Sequence, residues 1–119
     1  MYYNIIYMSQ LFSVNINKNK NITTINCNGD IDLTNIQTLQ NTFTNINKEE
    51  KTILNLTNVS FIDSAGLGII AKHAKLYKQS NNPLQVDCLE NTIHKVFKLS
   101  NLDNHILVLN VVEGEYAKS

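Results

Sequence analysis

Several shortages in this sequence narrow what it can be. There is one proline, Pro83, and there are four glycines. That is too few for a low-complexity tract or a domain linker. Cysteine is scarce: Cys27 and Cys88 lie far apart, each in a segment that reads as a strand. A disulfide framework in so small a chain would use more of them, so both read as small buried apolar residues. The histidines are His73, His94 and His105. No two have short ligand spacing and no Cys-x-x-Cys is present, which argues against a metal site. Gly66-x-Gly68 lacks the third glycine of a phosphate loop, so the pair reads as backbone freedom and close helix–sheet approach. Neither sign of charge is in excess, with ten Lys plus Arg against ten Asp plus Glu. Nucleic acid and anionic membrane both reward a concentrated basic surface, so neither is expected as a general partner. No apolar run approaches the ~18 residues of a membrane span. Met1 to Leu11 has neither a basic start nor a small-residue cleavage site, so it does not read as a signal peptide. The expected compartment is the cytoplasm.

What remains is an ordinary globular composition, 43% hydrophobic and 17% charged over 119 residues. That length suggests one domain with a self-sufficient core. Its expected extent is 11–112, with a lead at 1–10 and a frayed tail at 113–119. Leu11 to Ile16 and Ile22 to Cys27 read as strands joined by the polar turn Asn17 to Asn21, a hairpin. Ile36, Leu39, Phe43 and Ile46 repeat at helical spacing, with Asp32 or Thr34 as the cap. Ile53 to Leu56 is apolar enough for a central strand covered by helices. Leu67, Ile70, Ala71, Ala74 and Tyr77 form a second helical stripe, with Lys72, Lys75 and Lys78 off its centre. Leu84 to Leu89 reads as a strand. A third helix, capped by Asn91 or Thr92, turns Ile93, Val96, Phe97 and Leu99 inward. Ile106 to Val112 is the last strand. The order β-β-α-β-α-β-α-β predicts an α/β fold, a mixed and mostly parallel sheet with an N-terminal hairpin.

The most informative stretch is Phe61-Ile62-Asp63-Ser64-Ala65-Gly66-Leu67-Gly68. It joins the third strand to the second helix and sets a serine at a helix N-terminus, where free N–H groups favour negative charge. Ser64 can be a cap, a nucleophile or a phosphorylation site. A nucleophile elbow needs Gly-x-Ser-x-Gly, and Ile62 stands where its first glycine belongs. His73 lies two and a half helical turns beyond Ser64, too far to serve as its base. The histidines therefore read as surface or partly buried residues. A phosphate on Ser64 would add about −1.5 to −2 charge beside Asp63. Asp30 and Asp32 join that surface if their loop packs alongside.

Asp63-Ser64-Ala65-Gly66-Leu67-Gly68 resembles the serine loop of the STAS domain, a family shared by bacterial anti-sigma factor antagonists and the tails of sulfate transporters. Gly29-Asp30-Ile31-Asp32 resembles that family's Gly-Glu-Leu-Asp loop. Ile53 to Leu56 with Val59 to Ile62, and Val96 to Leu102, match its central strand and last helix. The resemblance implies that Ser64 is phosphorylated by the partner, an anti-sigma factor serine kinase, and restored by a PP2C-type phosphatase. It places Asp30, Asp32, Asp63, Ser64, Ala65 and Gly66 on the docking surface. It implies no cofactor and no catalysis, because the ATP belongs to the partner. Ala65 stands where a second hydroxyl is frequent, Asn55 where aspartate is common, and Asn81-Asn82 where glycine is usual. The alternative within the family is a non-catalytic subunit of a lipid transport complex, with Ser64 as a cap.

Overall fold

The computed structural model describes residues 12–102 and 106–113. The lead at 1–10, the expected first strand residue Leu11, His105 and most of the tail lie outside them. Five strands and three helices alternate as β1 (Ser13–Asn19), β2 (Ile22–Asn28), α1 (Ile36–Thr44), β3 (Lys51–Asn58), α2 (Ser64–Gln79), β4 (Leu84–Cys88), α3 (Thr92–Ser100) and β5 (Leu107–Val111). The strands lie in chain order, β1-β2-β3-β4-β5. β1 and β2 pair antiparallel through a two-residue loop, where Lys20 takes φ 59°. Such short hairpin loops need a positive φ. The remaining pairs are parallel.

Side-chain alternation splits the sheet sharply. Ile16, Ile25, Leu54, Val86 and Leu109 are register partners across all five strands. One residue away, Asn15, Asn26, Asn55, Asp87 and Asn110 form a second row on the opposite face. The strand period of two turns this shift into a change of solvent. The apolar side joins Leu39 and Phe43 of α1, Ile70, Ala74 and Tyr77 of α2, and Ile93 and Phe97 of α3 in one core. The helices thus cover one face. The polar row on the other is cross-linked at two places: Asn55 Nδ2 donates to Asn26 Oδ1 at 2.8 Å, and Asn110 Nδ2 to Asp87 Oδ1 at 3.0 Å. Central β3 is therefore apolar on one side only, not sandwiched between helix layers.

Several local expectations are corrected. Neither Asp32 nor Thr34 caps α1. Asn35 holds that position without a side-chain cap bond, because its amide is turned back into the preceding loop. Ile46 is buried but lies past the end of α1, in a tight turn where Ile46 N donates to Phe43 O at 3.2 Å. Leu99 is 87% exposed, since only Ile93 and Phe97 of α3 face fully inward. Asn91 caps α3, its Oδ1 accepting from Ile93 N at 2.8 Å. Asn81 takes φ 56° at the turn before β4, the conformation that a glycine would otherwise supply. Asn82 ties this turn to the start of β3, its Nδ2 donating to the carbonyls of Lys48 (3.0 Å) and Glu50 (2.7 Å). Cys27 and Cys88 are buried free thiols, and burial raises both, to about 12 and about 11.

His73 is also corrected: it is buried, only 3% exposed. Its ring stacks on Phe43 with centroids 4.7 Å apart, and its Nε2 lies 2.9 Å from Gln40 Oε1. Burial pushes its pKa down to about 4, helped by the positive charges of Lys48 and Lys72. The unfolded chain takes up this proton near 6.5 and the folded chain only near 4. Between those values the unfolded state holds more protons, so stability falls as pH falls. Urea unfolding from pH 6.5 to 4 should show a steeper loss for the wild type than for His73→Gln. The difference in slope should approach ~1.4 kcal/mol per pH unit. Parallel slopes would rule out a neutral buried His73.

Candidate functional site

Two loops meet at the ends of β2 and β3, and together they carry Ser64. Past an irregularity in the register at Asn26/Asn28, the strand pairing continues through the isolated parallel bridge Ile31↔Ile62. Ile31 N donates to Phe61 O at 2.9 Å and Asp63 N donates to Ile31 O at 3.1 Å. Ile31 and Ile62 point into the core, which anchors the loops from below. The loop after β2 is held internally by Asp32, whose Oδ1 accepts from Thr34 N (2.9 Å) and Thr34 Oγ1 (2.6 Å). Asn35 closes it, accepting from Asp32 N at 3.0 Å and donating to Asp30 O at 2.8 Å.

Asp63, not Ser64, is the N-cap of α2, so the cap role considered for Ser64 belongs to its neighbour. The Asp63 carboxylate does two jobs. Oδ1 accepts from Gly66 N at 2.9 Å, and Oδ2 reaches across to Leu33 N at 3.1 Å. One side chain therefore starts the helix and fastens the other loop to it. Leu67 N donates to Asp63 O at 3.0 Å, the first bond of the helix. The amides of Ser64 and Ala65 precede that ladder and receive no acceptor from it. Gly66 is required by space. A Cβ there would lie 2.6 Å from Ile31 Cγ2 and 3.0 Å from Ile62 Cγ2, both on buried side chains. Gly68 differs, since a Cβ there would meet nothing within 4 Å. The close approach expected of both glycines holds for Gly66 alone.

Ser64 is exposed at the first position of the helix, and Ala65 beside it is half-buried. Asp30 is exposed, while Asp32 and Asp63 are half-buried. Five of the six residues expected at the site reach the surface at these two loops; Gly66 does not, because it is buried against Ile31 and Ile62. Neither 29–36 nor 58–68 contains a lysine, an arginine or a histidine, so the two loops themselves carry only negative charge. His73 lies nine residues beyond Ser64, about 13 Å along the helix axis. It is engaged by Gln40 and Phe43 and cannot serve as a base for Ser64. Among the described residues no group of three or more His, Cys, Asp or Glu could hold a metal ion. Two contributors were missed in the sequence: Asn35, which staples its own loop, and Leu33, whose backbone N–H donates to Asp63. Asn35 carried a signal, a polar residue directly before an apolar helical stripe. Leu33 carried none.

Comparison with known proteins agrees with this frame. The family model of the STAS domain matches residues 13–114, and the chain belongs to that family. An anti-sigma factor antagonist from Mycobacterium paratuberculosis has a similar fold, with a TM-score of 0.74 at 17% identity over 85% of this chain and 86% of the other. The anti-sigma factor antagonist SpoIIAA in its unphosphorylated form aligns with a TM-score of 0.69 at 17% identity, covering 89% of this chain and 93% of that one. The Bacillus cell fate determinant SpoIIAA in its phosphorylated form aligns with a TM-score of 0.66 at 19% identity, over 89% and 96%. Among the described residues no helix is long and apolar enough to cross a membrane.

Proposed function

We propose that this chain is an anti-sigma factor antagonist, a non-catalytic binding module of the cytoplasm switched by phosphorylation of Ser64. The observation that carries this reading is an exposed serine at a helix start, beside three aspartates on two loops that Asp63 locks together. Unphosphorylated, the surface binds an anti-sigma factor serine kinase and so frees a sigma factor for transcription. The kinase then transfers a phosphoryl group from its own ATP to Ser64 Oγ, with loss of the hydroxyl proton and release of ADP. A PP2C-type phosphatase hydrolyses the ester and restores the serine. The likeness to a protein solved in both unphosphorylated and phosphorylated forms supports this cycle.

The physics of the switch is local. A phosphate at the first helical position faces the unpaired amides of Ser64 and Ala65 and the positive end of the helix, so the fold tolerates it. The surface charge changes from roughly −3 to about −5. A partner surface matched to the first value is mismatched to the second. Incubation with the anti-sigma kinases of the source genome and ATP should add a single phosphate, mapped to Ser64 by intact mass and peptide sequencing. Absence of phosphate with every such kinase would refute the proposal.

A further inference from the structure

We propose that Leu33 and Phe61 form the apolar centre of the docking surface, and that the kinase meets them with an apolar recess rimmed by basic side chains. This rests on the function proposed above and names which residues carry the affinity. Leu33 is 72% exposed and Phe61 48% exposed, although both belong to the rigid frame beneath Ser64. Leu33 N is bonded to Asp63 Oδ2, and Phe61 O accepts from Ile31 N. One residue of each loop is therefore fixed through its backbone while its side chain is left in water. The chemistry is the usual anatomy of an interface: a leucine and an aromatic at the middle, charges at the edge. Here the edge is Asp30, Asp32 and Asp63. The loop carboxylates select the occupant, because a second copy of the same acidic loops would be repelled while a basic surface is attracted.

Exposure alone does not mark such a residue. Leu99 is more exposed still, but it stands on the outer face of α3, outside the two loops. Leu33 and Phe61 also cost little to present. Their loops are already fixed by hydrogen bonds, so little backbone order has to be imposed when a partner arrives.

The test is calorimetric titration of the phosphorylating kinase into wild type, Leu33→Ala, Phe61→Ala and Leu99→Ala. Each of the first two variants should raise Kd tenfold or more, and Leu99→Ala should leave it unchanged. The fold-change for Leu33→Ala should be the same at 50 and 300 mM salt, since the contact is apolar, while the wild-type affinity itself falls with salt. Thermal unfolding separates lost contact from lost fold. Leu33→Ala should melt with the wild type, and it carries the test alone if Phe61→Ala does not. Wild-type affinity in Leu33→Ala and a folded Phe61→Ala would overturn this inference and leave the function standing. Wild type that binds no kinase would overturn the function itself. Sedimentation of the chain alone should show a monomer; a dimer disrupted by Leu33→Ala would assign the patch to self-association instead.

Discussion

Ser64→Asp should abolish kinase binding while leaving the domain folded, and Ser64→Ala should bind like the wild type and accept no phosphate. Both halves follow from the position of the residue. At the first turn of a helix a carboxylate is favourable by about 0.3–1 kcal/mol, so Ser64→Asp should melt no lower than the wild type. On the proposed docking surface the same charge would be added to those of Asp30, Asp32 and Asp63, which the partner is expected to match. Surplus like charge in an interface costs several kcal/mol. At ~1.4 kcal/mol per decade, the expected loss is at least about a hundredfold in affinity. Ser64→Ala removes a hydroxyl for which the described residues provide no hydrogen bond. Its unfolding midpoint should move little, and its affinity should match that of the wild type. Titration of one kinase with both variants decides the matter: equal binding would falsify the switch.

Phe43→Ala should cost about 3–5 kcal/mol of stability, the largest loss expected at any single side chain in this core. Phe43 is fully buried at the seam between α1 and α2. It stacks on His73 and meets Tyr77 edge-on, with centroids 6.4 Å apart. Lys48 Nζ lies 5.9 Å from its centroid and 5.3 Å from that of Tyr77, and donates to the Phe43 carbonyl. Truncation opens a cavity, strips His73 of its stacking partner and loosens the lysine that closes the end of α1. Urea denaturation at pH 7 measures the effect. A loss below ~1 kcal/mol would show that the seam repacks around the vacancy. A smaller His73 pH slope in Phe43→Ala would mark water reaching the imidazole.

The fold was legible because its periods are clean. Ile25, Leu54 and Val86 sit at alternating strand positions, and Leu39–Phe43 and Ile70–Ala74–Tyr77 sit at helical ones. The candidate site was legible because Asp63-Ser64 falls where such a strand runs into such a helix. What escaped was decided by contacts distant in the chain or by side-chain direction. Leu99 continues a helical pattern but falls on its outer side, since α3 is short and only two of its residues are fully buried. Ser64 and Asp63 are both competent caps, and the choice depends on which side chain turns toward Gly66 N. His73 is polar by type, yet Gln40 and the Phe43 ring make a buried place for it. Asn82 reads as a turn residue, but its two bonds run to carbonyls more than thirty positions away. The absence of a second helix layer follows from strand order, which no single window of sequence contains.

That strand order has a kinetic consequence. Each strand pairs with the one made just before it, so no segment must wait for a distant end of the chain to find its neighbour. Loop closure is divided into one tight hairpin and three crossovers of similar length, each rewarded by a new ladder before the next begins. On a ribosome, the hairpin and the first crossover can assemble while β4 and β5 are still unmade. Leu33 and Ser64, on the two loops that Asp63 fastens together, are joined as soon as β3 and the first turn of α2 have emerged.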